Sequence, residues 1–198
     1  MIRRSERARR RALLATMLIG TVAIGTGCAG SGHRGHLDLP GGGRLFGGND
    51  DPARSVERAK SDAVAKAKEF YATWSRLEDN PAVPVDALRS AAADPVLTAW
   101  TNDIIVRRAN GVRGEGAIRV LHANATDASI DPKAWVHVTA CLDLSGLTWT
   151  KRDGSPDYDE HRPAQVRADL TVRNASFPDP NGWRVTSDSA PRYAPCQP

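Results

Sequence analysis

Four side chains of this sequence could take part in proton transfer: His137, Asp103, Tyr71 and Asp169. A general base needs a carboxylate or imidazole within hydrogen-bond reach of the substrate proton and a pKa tuned by a dry pocket. Simpler interpretations compete, because His137 fits an ordinary histidine on a sheet face and Asp103 a solvated helix residue. Asp169 has arginine neighbours and fits an exposed cross-strand ion pair. None of the four lies in a catalytic motif, so we predict no catalytic residue and keep His137 and Asp103 as candidates.

Other chemistry has no recognisable motif in the chain. The sequence has no glycine-rich phosphate-binding loop, no nucleophile elbow and no zinc signature. His33 and His36 have no cysteine or carboxylate partners at a fixed spacing, so they do not indicate a metal site. We therefore expect no metal and no cofactor.

The N-terminal residues 1–27 have the pattern of a signal peptide. A start rich in arginine precedes an uncharged apolar run over residues 12–27, which is shorter than the about 20 residues of a membrane-spanning helix. The run ends in Gly25-Thr26-Gly27-Cys28, which resembles the lipobox of bacterial lipoproteins, except that Gly25 stands where an aliphatic residue is usual. The resemblance implies that Cys28 becomes a lipidated N-terminus. Ordinary secretory cleavage and an uncleaved anchor are the alternatives, and all three place the domain outside the cytoplasm.

The export route stays open, because Arg10-Arg11 before the apolar run also resembles a twin-arginine signal. The net charge of the whole chain is +4, and residues 1–27 contribute six arginines and one glutamate. The chain from Cys28 onward therefore carries −1. A nearly neutral domain gives no reason to expect a nucleic-acid partner. We expect it to be anchored by its lipid to the outer face of the cytoplasmic membrane.

The assignment of Cys28 to a lipid leaves two cysteines. Cys141 and Cys196 are then an even number in an oxidising compartment, so we expect a disulfide, with two free thiols as the alternative. Residues 28–50 are rich in glycine and poor in aliphatic residues, which predicts a flexible tether. A single folded domain is expected over residues 51–198.

Helical periodicity dominates the first part of this domain. Asp51 as N-cap and Pro52 at the first helical position predict the start of a long helix. Steps of three and four residues define its apolar face: Val56, Ala59, Ala63, Ala67, Phe70, Trp74 and Leu77. A short helix is predicted over residues 85–92, and a third, capped by Asp94 and followed by Pro95, runs toward residue 110.

After Gly111 the period changes from helical to two. Strands are predicted near residues 118–122, 134–142, 147–150, 166–173 and 183–185, with an irregular tail after them. Helices followed by antiparallel strands indicate an α+β fold.

Several strings resemble one family: FYATWSRL, VHVTACLDLSG, RPAQVRADLTV and GWRVTSDSAPRYAPC. They are similar to small secreted or lipid-anchored actinobacterial proteins with a nuclear transport factor 2-like, cystatin-like cone. The resemblance implies a curved antiparallel sheet that wraps around the N-terminal helices and leaves a cavity at its wide end. Relatives of this fold include dehydratases and isomerases with an Asp or His base inside the cone.

We weigh three functions. The first is a non-enzymatic envelope lipoprotein whose cone cavity or open sheet face binds a protein partner, a second copy or a small hydrophobic ligand, with Trp135 and Trp149 as interface anchors. The second is a small lyase or isomerase that acts through His137 or Asp103. The third is an accessory subunit of an envelope assembly. A cone interior filled with aliphatic side chains would exclude the enzyme.

Overall fold

The computed structural model describes residues 51–158 and 162–189, together with residues 194 and 196. The predicted signal peptide (1–27), the lipidation site Cys28 and the tether (28–50) lie outside the described residues. Among the helices that are described, none combines the length and the apolar character that crossing a bilayer requires.

The first helix, α1, runs over Pro52–Asp79. It begins as predicted, because Asp51 is its N-cap and the side chain of Asp51 accepts a hydrogen bond from the N–H of Ala53 at 3.0 Å. Of the seven residues of the predicted apolar face, six are no more than 3 % exposed, and Val56 near the N-terminal end is half-buried. The predicted face is therefore the face that packs into the core.

The two shorter helical segments differ in detail from the prediction. Val85–Ser90 is a 3-10 helix that ends two residues before the predicted boundary, and α2 runs over Val96–Ala109. Asp94 is not the N-cap, since α2 begins only after Pro95. The carboxylate of Asp94 still accepts a hydrogen bond from the N–H of Thr98 at 3.2 Å, so it satisfies a backbone donor from outside the helix.

After α2, the described part of the chain contains six strands and a short 3-10 helix over Pro180–Gly182, and every paired strand is antiparallel to its neighbour. They are β1 (Arg113–Glu115), β2 (Arg119–Ser129), β3 (Ala134–Asp143), β4 (Thr148–Thr150), β5 (Gln165–Asn174) and β6 (Trp183–Ser189). The main sheet has the order β2-β3-β5-β6, and β1 pairs with β4 in a separate ribbon. Since α1 packs against β2, β3, β5 and β6, the predicted α+β class, with N-terminal helices on an antiparallel sheet, is confirmed.

Alternation along β3 and β5 places one row of side chains against the helices. The core row of β3 contains Val136, Val138 and Leu142, and that of β5 contains Leu170 and Val172, all at most 4 % exposed. The side chains between them lie on the opposite, outer face of the sheet.

Bulges interrupt this alternation in the two edge strands. The pairing of β2 with β3 shifts between Val120 and His122 and again between Ala125 and Asp127. In β6, Val185 pairs with Val172 whereas Ser187 pairs with Thr171, so Thr186 is an extra residue. Bulges bend strands and increase their local twist.

The C-terminal tail is joined to the outer face of the sheet. Cys141 of β3 forms a disulfide with Cys196, and their Cα atoms are 5.5 Å apart. The N–H of Arg167 on β5 donates a hydrogen bond to the carbonyl oxygen of Ala194 at 2.9 Å. Cys141 is only 2 % exposed, although it belongs to the outward row of β3.

Candidate functional site

A cavity of about 300 Å³ lies between α1, α2 and the neighbouring strands and loops. Its wall is mainly aromatic and aliphatic, and the side chains of two aspartates and one arginine interrupt it. The lining residues are Tyr71, Trp74, Trp100, Asp103, Arg107, Ile118, Leu142, Leu144, Leu147, Trp149, Val166 and Asp188. Concave sites with apolar walls and a few convergent polar groups are the usual sites of small-ligand binding.

Helix α1 supplies two of the four aromatic residues in the wall. Tyr71 and Trp74 are three residues apart, which places them next to each other on one helix face. Trp74 packs edge-on against Trp100 of α2 with ring centroids 4.9 Å apart, and its ring lies 6.0 Å from that of Trp149 on β4. Edge-to-face packing of this kind holds the rings in fixed orientations.

A tyrosine and an aspartate form the polar centre of the cavity. The hydroxyl of Tyr71 donates a hydrogen bond to Oδ1 of Asp188 at 2.9 Å, across a sequence separation of 117 residues. Tyr71 is 2 % exposed, and Asp188 is half-buried with its carboxylate in the cavity lining. The pair therefore joins α1 to the far edge strand of the sheet.

The bulge at Thr186 explains why Asp188 faces the cavity. Before the bulge, Trp183 and Val185 point into the core and are fully buried. One extra residue reverses the alternation, so Asp188 pairs with the buried Leu170 and lies on the core side of β6. The hydroxyl of Thr186 donates to the carbonyl oxygen of Thr171 at 3.2 Å, which supports the bulge.

The cavity changes the acid strength of both members of the pair. Burial raises the pKa of Asp188 to about 6, and the hydrogen bond from Tyr71 opposes that rise. Burial also raises the pKa of Tyr71 well above its usual value, and the adjacent charge of Asp188 raises it further. Tyr71 therefore stays a protonated donor, whereas Asp188 titrates close to neutral pH.

The other charges of the cavity are paired with one another. Arg107 contacts Oδ2 of Asp103 and Oε1 of Glu78, each at 2.7 Å through Nη2. Oε2 of Glu78 accepts a hydrogen bond from the indole N–H of Trp149 at 2.9 Å. Glu78 is 8 % exposed, so its buried charge is matched by a guanidinium and an indole donor. This network fixes Trp149 and the end of α1 around the cavity.

The sequence-predicted candidates lie in different places. His137 is exposed on the outer face of β3, with Nδ1 3.2 Å from the hydroxyl of Thr171, and does not reach the cavity. Asp103 does line the cavity, but its side chain is 48 % exposed and is bound to Arg107. Asp169 contacts Arg167 of its own strand at 3.0 Å, which replaces the predicted cross-strand ion pair.

The two tryptophans predicted as interface anchors have unlike environments. Trp149 is a half-buried part of the cavity wall, with the guanidinium carbons of Arg107 and Arg162 5.3 and 5.2 Å from its ring centroid. Trp135 is half-buried on the outer face, where it packs against His137 with ring centroids 4.8 Å apart.

The open face of the sheet is polar. A shallow depression there is lined mostly by hydroxyl, carboxylate and imidazole groups, including Thr139, Thr171, Asp169 and His137. The hydroxyl of Thr139 donates to Asp169 at 2.9 Å, so these groups partly satisfy each other. The cavity is therefore a better candidate for an apolar ligand than the open face.

An interior filled with aliphatic side chains would have excluded an enzyme. The cavity is not filled in this way. It holds an acid between apolar walls, and that acid is Asp188, which sequence reasoning assigned to the irregular tail. Among the residues described, no group of three or more His, Cys, Asp or Glu side chains is placed to hold a metal ion.

Comparison with known proteins gives distant structural likenesses. No protein-family model and no curated protein matches the sequence. The chain is similar to the intermembrane space region of the chloroplast protein ARC6, with 14 % identity, a TM-score of 0.43, and coverage of 64 % of this chain and 95 % of that one.

Two further likenesses are to bacterial proteins. A periplasmic fragment of TraM has 10 % identity, a TM-score of 0.46, and coverage of 68 % of this chain and 97 % of that one. CagV of Helicobacter pylori strain 26695, a VirB8 homolog of T4SS, has 14 % identity, a TM-score of 0.39, and coverage of 66 % and 97 %. All three TM-scores are below 0.5, so these likenesses assign neither a family nor a function to this chain.

Proposed function

We propose that this protein is a lipid-anchored binding module of the cell envelope, and that its cavity holds a small, largely apolar ligand. The observation that carries this proposal is the cavity of about 300 Å³, whose aromatic and aliphatic wall surrounds the Tyr71–Asp188 pair. This volume is at the lower end of the range for small-molecule sites, about 300–1,000 Å³. A ligand of one or two rings matches it.

The envelope location rests on the sequence and agrees with the disulfide. Residues 1–27 have the pattern of a signal peptide, and Cys28 stands in a lipobox-like string. The Cys141–Cys196 bridge is of the kind that persists in oxidising compartments.

Filling the cavity is expected to abolish ligand binding. Leu144 is half-buried in the wall, so Leu144→Trp places an indole in the space that a ligand would occupy. With 2-phenylethanol as the probe and isothermal titration calorimetry as the measurement, we expect at least a tenfold loss of affinity. Leu121→Trp is the matched control, because Leu121 is 48 % exposed and does not line the cavity. Equal affinity in both variants, each with an unchanged melting temperature, would contradict the proposed binding site.

Replacing Cys28 with alanine is expected to release the protein from the membrane. In a bacterium that processes lipoproteins, the wild-type chain should fractionate with membranes and have the intact mass of an acylated chain that begins at Cys28. Cys28→Ala should appear in the soluble fraction, and Ser31→Ala in the same segment should behave like wild type. An alanine variant that stays in the membrane fraction would instead favour an uncleaved signal anchor.

A second function, proton transfer by a lyase or isomerase, is favoured by one specific observation. Asp188 lies in an apolar cavity with its pKa raised to about 6, and that environment suits a general base. The base would then be Asp188 rather than His137 or Asp103. The test is deuterium incorporation next to the carbonyl of small cyclic ketones in D₂O, measured by NMR. Exchange that is the same in wild type and Asp188→Asn would rule this function out.

A further inference from the structure

We propose, on the basis of the binding function above, that the cavity selects a ligand with a positively charged ammonium group on a small apolar or aromatic body. Asp188 would be the counter-ion of that group. The proposal follows from the charges that line the cavity, from its aromatic wall and from the unused oxygen of the Asp188 carboxylate.

Among the described residues, the charge pairing around the cavity leaves one carboxylate without a cation. The guanidinium of Arg107 is bound by Asp103 and by Glu78, so it is already neutralised twice. Within the part of the chain that the structure describes, Asp188 forms no ion pair, and its hydrogen-bond partner Tyr71 is uncharged. An anionic ligand would meet an uncompensated negative charge, whereas a cation would compensate it.

The wall offers cations a second kind of attraction. The faces of tryptophan and tyrosine rings attract cations that lie within about 6 Å of the ring centroid. The wall already holds two cations in this way, since the guanidinium carbons of Arg107 and Arg162 lie 5.3 and 5.2 Å from the centroid of the Trp149 ring. Trp74 and Trp100 meet edge-on beside Tyr71, which gives the wall rings in several orientations. Such a wall suits an ammonium group and its apolar substituents together.

Hydrogen bonding orients the carboxylate toward an incoming donor. Tyr71 donates to Oδ1 of Asp188, and no described group donates to Oδ2 of the same carboxylate. A carboxylate has about four acceptor positions, of which this contact uses one. The N–H groups of an ammonium ion would supply the missing donors in a charge-assisted hydrogen bond.

Binding of such a cation is expected to weaken in acid. The ionisable groups around Asp188 are Tyr71 on α1, Asp103 and Arg107 on α2, and Asp169 on β5, which contributes to the field at Tyr71. Because the pKa of Asp188 is about 6, only about a tenth of the free protein carries the charge at pH 5. If only the ionised form binds the cation, its affinity at pH 5 is about tenfold lower than at pH 7.5.

The test compares three probes of nearly equal size on the mature, full-length protein. They are 2-phenylethylammonium, uncharged 2-phenylethanol and anionic phenylacetate, each titrated by calorimetry at pH 7.5 and at pH 5. The variant is Asp188→Asn, which keeps an oxygen acceptor for Tyr71 but removes the charge. The matched control is Asp127→Asn, because Asp127 is an exposed carboxylate on β2 away from the cavity.

We expect the ammonium probe to bind wild type and the control at least tenfold more tightly than the alcohol at pH 7.5. The preference should fall at pH 5 and vanish in Asp188→Asn, which should still bind the alcohol. An alcohol that binds wild type as tightly as the ammonium ion would overturn the charge selection and leave the apolar binding function standing. Binding of phenylacetate more tightly than the ammonium ion would overturn the charge selection as well. No binding of any probe would count against the binding function itself.

Discussion

Asp188→Asn is expected to be more stable than wild type at pH 8 by a margin that shrinks on acidification. Burial raises the pKa of Asp188 in the folded protein to about 6, from a usual value of 3.8. Below pH 4 the carboxyl is protonated in both the folded and the unfolded chain, and its full contribution to stability is present. As the pH rises from about 4 to about 6, the unfolded chain releases its proton while the folded state still holds its own, so stability is lost; above pH 6 both states are ionised and the loss levels off.

The expected size of this loss follows from the difference of about two pKa units. At 1.36 kcal/mol per unit, ionisation of Asp188 lowers the free energy of unfolding of wild type by up to about 3 kcal/mol between pH 4 and pH 8. Asparagine cannot ionise and can still accept the hydrogen bond from Tyr71, so the variant lacks this loss. The variant should therefore be more stable than wild type at neutral pH, but it lacks the charge that we assign to ligand binding.

Urea unfolding followed by tryptophan fluorescence at several pH values measures this prediction. The difference between the two unfolding free energies should grow from pH 4 to pH 7 and then level off. Asp127→Asn, which alters an exposed carboxylate, should run parallel to wild type over the whole range. Parallel curves for Asp188→Asn and wild type would show that the carboxylate of Asp188 is well solvated, and the cavity site would lose its polar centre.

Removing the disulfide is expected to lower the free energy of unfolding by about 4 kcal/mol. The bridge closes a loop with a sequence separation of 55 residues, and the chain-entropy model gives about this value for such a loop. Small domains have total stabilities of about 5–15 kcal/mol, so this loss is a large share of the total. The double variant Cys141→Ala/Cys196→Ala should therefore unfold at a much lower urea concentration.

Reduction of the wild-type protein provides the internal control for this experiment. Addition of dithiothreitol should shift the wild-type transition to that of the double variant, whose own transition should not respond to the reductant. A wild-type transition that is unchanged by reductant, together with free-thiol titration of both cysteines, would show two unpaired thiols instead of a bridge. Leu121→Trp, which leaves both cysteines in place, should keep the full response to reductant.

The regular parts of the fold were predictable because they obey a fixed period. The spacing of three and four residues predicted the buried face of α1 correctly. Ala63, Phe70 and Leu77, for example, are fully buried. The alternation along β3 and β5 likewise matches their core rows. Central strands are paired on both sides, which leaves little freedom for irregular geometry, so their sequence pattern is regular too.

The edge strands and the site were not predictable by the same means. The bulges in β2 and β6 break the period of two, so β2 appeared too short and β6 appeared to end at Val185. Asp188 therefore fell into a tail that was predicted to be irregular. Its partner Tyr71 lies 117 residues earlier in the chain, and no local pattern links residues so far apart. Residues 186–189 are all polar, so no alternation of apolar and polar side chains signalled that the strand continued.

The bulge at Thr186 makes the chemistry of the cavity depend on the number of residues in β6 as well as on their identity. Deleting Thr186 would remove the extra residue and keep Asp188 opposite Leu170, whereas a strand that kept Thr186 in strict alternation would carry the hydroxyl of Ser187 on the core side in place of the carboxylate. The sheet order and the helices would stay the same. The presence of one extra residue at this edge therefore decides which side chain of β6 faces the cavity.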